Sequence, residues 1–122
     1  MSTILVVEDD KNQRLLYKEM LATDGHEVVL VKDGWEALSA VDKDPPDLVV
    51  MDICMPGMDG IEAMGRMLAR HNKLPVILHT AYPMYKDNFM SWSADAYVVK
   101  SSDLTELRHT IRNVLARHNV GA

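Results

Sequence analysis

Five short apolar runs punctuate the chain: Ile4–Val7, Val28–Val31, Leu48–Met51, Val76–Leu78 and Tyr97–Val99. They are rich in β-branched residues and mostly continuous rather than alternating. Runs this short suit strands covered on both faces, as in a parallel sheet. Any one of them could equally be a piece of core helix, and the spacing decides. Between the runs lie segments of helical period. Lys11–Asp24 pairs Leu16 with Met20 and Tyr17 with Leu21 before Gly25 stops it. Gly34–Asp42 carries Trp35, Leu38 and Val41 on one stripe and ends before Pro45 and Pro46. Ile61–Asn72 carries Ile61, Met64 and Leu68. Met84–Ser93 has the weakest period. Leu104–His118 carries Leu104, Leu107, Ile111 and Leu115, with Asp103 as the expected N-cap and Glu106 at the capping-box position.

The predicted order is strand then helix, five times. Such alternation implies an α/β fold with a parallel sheet, helices on both faces and right-handed crossovers. The expected form is a doubly wound five-stranded sheet of order 2-1-3-4-5, the flavodoxin-like arrangement. No internal repeat or linker interrupts the 122 residues, so residues 1–122 read as one domain with no second domain expected.

Composition narrows the function. Hydrophobic residues make up 48% and charged residues 25%, which excludes disordered and collagen-like chains. The 13 basic and 18 acidic residues leave a net charge of −5, which argues against direct nucleic-acid binding and against an anionic membrane. One cysteine excludes an internal disulfide. The N-terminus meets acid at Glu8 without a basic region, unlike a signal peptide. No apolar run approaches the ~20 residues of a membrane helix. The expected setting is cytoplasmic.

In such sheets ligands bind beyond the carboxyl ends of the strands. Glu8, Asp9 and Asp10 follow the first strand, Asp52 ends the third, Thr80 and Ala81 follow the fourth, and Lys100 follows the fifth. Lys32 and Asp33 follow the second, away from the centre. Two carboxylates ~4 Å apart repel by about 4 kcal/mol at an effective dielectric of ~20. Gathered acids therefore need a cation or a shared proton. Oxygen donors without nearby cysteine or histidine ligands favour a hard cation, with Mg²⁺ the best fit and Mn²⁺ second. Lys100 adds a point positive charge and Thr80 a donor, a set suited to a phosphoryl group. There is no glycine-rich phosphate loop and no GxGxxG. A carboxylate can itself be the nucleophile and form an acyl phosphate, and Asp52, central and strand-terminal, is the natural candidate.

With those residues in view, the chain resembles the receiver domains of two-component response regulators, the CheY-like domains. The likeness covers about residues 3–118 and rests on ILVVEDD (4–10), DGWEAL (33–38), PDLVVMDICMPGMDG (46–60), LPVILHTA (74–81) and ADAYVVK (94–100). It implies Asp52 as phosphoacceptor. It implies Asp9, Asp52 and the Cys54 carbonyl as metal ligands, with Glu8 acting through metal-bound water. Thr80 and Lys100 would hold the phosphoryl group and Tyr97 would be the switch aromatic. Asp10 is expected to add charge without ligating. The implied donor is a histidine kinase or histidine phosphotransfer protein. An effector protein, not named by the sequence, would dock on the face of the fourth helical segment, fifth strand and fifth helical segment. Met84, Tyr85, Phe89, Met90 and Trp92 are bulky for a weak helix; packing is the expected role of about half of them, and an adaptable partner surface on that face is the sharper reading. Monomer and phosphorylation-linked dimer are both compatible. Three positions depart from the family pattern: Ser101 where proline usually follows the lysine, Ser93 where glycine is usual, and Cys54 beside the site.

Each residue taken alone has an ordinary structural reading. Acids cap helices, threonines end strands, lysines face solvent, and Cys54 reads as a partly buried thiol without redox work. Support for the site is joint. The other function classes are a degenerate receiver acting as a scaffold without phosphorylation, a receiver detached from an output domain, an aspartyl phosphatase and a flavin protein. The phosphatase would want an acid at position 54, and the flavin reading is contradicted by Glu8–Asp10. The domain is therefore expected to be no enzyme beyond catalysing its own phosphorylation and dephosphorylation.

Overall fold

The computed structural model describes residues 2–82 and 93–118. Within them the chain runs β1 (Thr3–Val7), α1 (Lys11–Thr23), β2 (Glu27–Val31), α2 (Gly34–Lys43), β3 (Leu48–Met51), α3 (Gly60–Arg70), β4 (Val76–Thr80), β5 (Ala96–Val99) and α4 (Thr105–His118). The expected fourth helical segment, Met84–Ser93, lies outside the described residues apart from Ser93, and so do its bulky side chains. The strands form one sheet of order β2-β1-β3-β4-β5, with every pairing parallel.

Alternation along the central strands divides the core. Leu5, Val7, Val49, Met51, Val76 and Leu78 pack with α2 and α3. Ile4, Val6, Leu48, Val50, Ile77 and Val98 pack with Tyr17, Met20 and Leu21 of α1 and with Leu107, Ile111 and Val114 of α4. The continuous apolar runs of β1, β3 and β4 are thus explained, since both faces are covered. Full burial of one such Leu or Ile contributes roughly 1.5–3 kcal/mol.

Several expectations are corrected. β2 is not covered on both faces: it lies at the sheet edge, and Val29 is 40% exposed. Trp35 does not share the buried stripe of α2. It is 59% exposed, with the Arg66 guanidinium 5.3 Å over its ring, while Ala37 and Val41 go inside. Leu16 is exposed on α1, so Tyr17, Met20 and Leu21 make that helix's buried face. Asp103 sits one residue further out than an N-cap of α4, and its carboxylate accepts the Thr105 N–H at 2.8 Å.

Helix starts behave as their side chains dictate. Asp10, Asp33 and Asp59 cap α1, α2 and α3 by accepting N–H groups of the first turn. These caps stop each strand–helix connection at the same rim, where the acids gather.

Candidate functional site

The site grows out of sheet register. Val7 faces Met51 and Met51 faces Leu78, so the next residues, Glu8, Asp52 and His79, stand abreast at the ends of β1, β3 and β4. Glu8 N–H donates to the Val31 carbonyl and Asp52 N–H to the Val7 carbonyl, both at 3.1 Å, which continues the ladder past the strands. Lys100 N–H donates to the Thr80 carbonyl at 2.7 Å, which puts the lysine two residues beyond Val98, the partner of His79, so that its long side chain reaches back to the acids. Alternation points Glu8, Asp52, His79 and Lys100 toward the α1 and α4 side.

Lys100 Nζ donates to Glu8 Oε1 and to Asp52 Oδ2, each at 2.8 Å. Glu8 is only 2% exposed, and the side chains of Lys100 and Asp52 are 15% and 11% exposed. Carboxylate oxygens of Glu8, Asp9 and Asp52 lie within 4.8 Å of one another. Burial pushes the Glu8 carboxyl up to about 7, against the pull of the Lys100 hydrogen bond and charge, and the Asp52 charge pushes it the same way as burial. Burial opposes the Lys100 charge, but hydrogen bonds to Asp52 and Glu8 outweigh it and hold its pKa above the ordinary lysine value. Among the described residues Lys100 thus pairs with two of the three clustered acids. Glu8 Oε2 is buried with no hydrogen-bond partner. An orphaned buried carboxylate oxygen beside two further carboxylates is a donor set that fits a hard divalent cation.

The loop after β3 is held to this task. Cys54 N–H donates to Asp52 Oδ1 at 3.2 Å. The Cys54 side chain is exposed, not partly buried as expected, because Ile53 and Met55 take the inward positions around it. Gly57 adopts φ +79°, a left-handed turn natural to glycine. At Gly60 a Cβ would lie 2.1 Å from the Asp52 carbonyl oxygen, so no other residue lets α3 start this close to the acid. Gly60 N–H also donates to the Ile53 carbonyl at 2.8 Å.

Asp10 is engaged elsewhere: its Oδ1 accepts the N–H groups of Asn12 and Gln13. Thr80 is fully buried, and its hydroxyl accepts the Tyr82 N–H at 3.4 Å. Tyr97 is half-buried and donates its hydroxyl to the Tyr82 carbonyl. Thr80 and Tyr97 therefore meet through Tyr82, with Asp52 and Lys100 on the neighbouring strand ends. Ser101, in place of the proline usual in the family, donates its hydroxyl to the Asp103 carbonyl at 2.7 Å, and the preceding lysine still reaches both acids.

Sequence reasoning missed two features. Arg14 donates to the Glu8 carbonyl at 2.7 Å, which ties α1 to the acid turn. Its position one helical turn past Asp10 was the available signal. Tyr17 and His79, each 3% exposed, are hydrogen-bonded to one another beneath the acids. A polar residue in an otherwise apolar strand run was the signal there.

The comparisons with known proteins agree with this geometry. The model of the response regulator receiver domain matches residues 4–112. Response regulator MprA of Mycobacterium leprae (strain TN) is 35% identical over 116 residues, covering 93% of this chain and 51% of that protein. The chain spans about half the length of the curated relatives it matches. Response regulator TrrA of Thermotoga maritima, solved in complex with Mg²⁺-BeF, is 40% identical with a TM-score of 0.91, covering 93% of this chain and 99% of that one. TrrA solved with the histidine kinase ThkA matches at 41% identity and a TM-score of 0.89, covering 94% and 99%. No helix among the described residues is long and apolar enough to cross a membrane. The five-stranded parallel sheet, the acid cluster at its rim and the likeness across nearly the whole chain place it: the chain belongs to the response regulator receiver family, the CheY-like signalling domains of two-component systems.

Proposed function

We propose that the chain, one receiver domain over residues 1–122, accepts a phosphoryl group on Asp52 and reports that state by changing what it binds. The observation that supports this most is Lys100 Nζ held between Asp52 and Glu8 beside a carboxylate oxygen with no partner. In the transfer, an Asp52 carboxylate oxygen forms a bond to phosphorus while the donor's N–P bond breaks. The leaving histidine nitrogen keeps the electron pair. Such a loose transition state asks for positioning and charge neutralisation more than covalent work from the protein. Lys100 supplies positive charge beside the accepting oxygen. Cys54 N–H, already on Asp52 Oδ1, fixes the carboxylate's rotation. Asp9, Asp52 and the Cys54 carbonyl would hold Mg²⁺, with Glu8 reaching it through water, and Mn²⁺ would suit the same oxygens. The bound cation would neutralise phosphoryl oxygen charge.

After transfer Thr80 would turn to donate its hydroxyl proton to a phosphoryl oxygen, releasing the Tyr82 N–H that its oxygen accepts here, and Tyr97 would follow through Tyr82. Added charge at one point thus biases a pre-existing pair of arrangements. TrrA's complex with ThkA supports a histidine kinase, or a phosphotransfer protein, as donor. Hydrolysis would be the domain's own reaction, in a cytoplasmic setting. The test is intact mass after acetyl phosphate or phosphoramidate, with Mg²⁺ or with excess chelator, beside Asp52→Ala. A Mg²⁺-dependent, hydroxylamine-labile adduct absent from the variant is expected. No adduct on the wild type, with no Mg²⁺ binding, would make the chain a phosphorylation-independent scaffold.

A further inference from the structure

Beneath the acid cluster lies a polar contact that the phosphoryl chemistry above does not use. His79 stands next to Asp52 across the β3–β4 pairing, and Tyr17 descends on it from α1. The Tyr17 hydroxyl is 2.5 Å from His79 Nδ1, with ring centroids 5.6 Å apart and planes at 71°. The apolar cluster of Ile4, Val6, Val50 and Ile77 lies on the same side of the sheet. Aliphatic side chains would fill such a space at less risk, because a buried polar pair is costly unless both members are satisfied. Burial, then the Lys100 charge, holds His79 down to about 4, with the Asp52 charge opposing. Burial, then the Glu8 and Asp52 charges, pushes the Tyr17 phenol up. Both groups are therefore neutral near pH 7. The phenol proton needs an acceptor, so Tyr17 donates to Nδ1, which leaves the imidazole proton on Nε2.

We propose that Tyr17 and His79 are positioning residues of the phosphoryl site: their hydrogen bond ties α1 to the penultimate residue of β4, level with Asp52, and so holds Thr80, the next residue, just beyond the acid. The inference rests on the reading of Thr80 as a phosphoryl donor. The oxygens proposed to hold the metal stand in the segments that follow β1 and β3, not on β4. Loosening the end of β4 should therefore weaken phosphoryl recognition and leave metal binding as it is. A hydroxyl that has to meet a phosphoryl oxygen tolerates little displacement.

The experiment titrates Mg²⁺ alone, then beryllofluoride (standing in for the phosphoryl group) at saturating Mg²⁺, into wild type, Tyr17→Phe, His79→Leu, His79→Asn and the Tyr17→Phe/His79→Leu double variant. Tyr17→Phe removes one oxygen and keeps the ring, and circular dichroism checks its fold. A strand end freed of this neutral hydrogen bond has to be re-ordered when Thr80 meets the phosphoryl group, which predicts about fivefold weaker beryllofluoride binding, with Mg²⁺ affinity changed by less than about twofold. His79→Leu should match Tyr17→Phe, and the double variant should be no worse than either. His79→Asn, whose Oδ1 can take the place of Nδ1, should stay near wild type. Imidazole ¹⁵N spectra of the wild type should show the Nε2–H form. Unchanged beryllofluoride affinity in Tyr17→Phe, an equal loss of Mg²⁺ and beryllofluoride binding, or a proton on Nδ1 would each overturn the inference. Wild type failing to bind beryllofluoride would overturn the receiver reading itself, and this inference with it, a result distinct from any failure confined to the variants.

Discussion

Replacing Glu8 with glutamine is expected to stabilise the metal-free protein, and to do so more strongly as pH rises. The Glu8 carboxyl is raised from 4.5 to about 7, chiefly by burial. Between those values the folded state keeps a proton that the unfolded chain has released. Stability from this group is therefore complete below pH 4.5 and is lost as pH climbs through 7. At ~1.4 kcal/mol per decade the whole loss is about 3 kcal/mol. His79 works in the opposite direction. Its folded value of about 4 lies below the 6.5 of the unfolded chain, so its contribution is absent at low pH and present above 6.5. The two terms are of similar size and offset each other between about pH 4.5 and 6.5, so the wild type should show a shallow profile there and a decline above it. Glutamine keeps an oxygen for the Lys100 ammonium and has no charge to bury. Urea unfolding in chelator at pH 5, 6, 7 and 8 reads the difference directly. The gain in Glu8→Gln should grow from under about 1 kcal/mol at pH 5 to about 3 kcal/mol at pH 8. A gain that is flat with pH, or a variant less stable than wild type at pH 8, would refute the reasoning.

Lys100→Met removes the cation shared by Glu8 and Asp52 and should cost about 2 kcal/mol without metal, less than a fully dry pair because the lysine keeps some solvent. Added Mg²⁺ should recover part of that loss in a melting experiment. Mg²⁺ at ten times its dissociation constant should stabilise the wild type by about 1.4 kcal/mol, seen as a higher melting temperature, and Asp9→Asn should blunt the shift. Gly60→Ala forces a methyl against the Asp52 carbonyl oxygen and should cost about 1–3 kcal/mol while weakening Mg²⁺ binding by calorimetry.

The sheet was legible because Ile4–Val7, Leu48–Met51 and Val76–Leu78 are short continuous apolar runs spaced by helical segments, and that alternation sets the crossovers. β2 was misread for the same reason. An apolar run states what a strand tolerates, whereas its place at the edge decides what it buries, and Val29 ends up 40% exposed. Trp35 was placed on a buried stripe with Leu38 and Val41 by its helical spacing, but Gly34, Ala37 and Val41 form the buried face of α2 and the indole lies outside against Arg66. The rim acids and Lys100 were legible because strand ends of a parallel sheet share one edge. Contacts that depend on which side chain crosses which element were not. Arg14 reaching back to the Glu8 carbonyl and Tyr17 meeting His79 across 62 residues are settled by packing, and the helical spacing of Arg14 and the lone polar residue in the β4 run only hint at them.

Of three neighbouring acids, Asp52 is the one proposed to take the phosphoryl group. Borohydride reduces an acyl phosphate to the alcohol, which turns a phosphorylated aspartate into homoserine and leaves a free carboxylate untouched. After phosphoramidate and Mg²⁺, reduction and tandem mass spectrometry should place homoserine at Asp52, with Glu8 and Asp9 intact. Reduction at Asp9 or at Glu8, or the same peptide unmodified with the adduct present in the intact mass, would contradict the account.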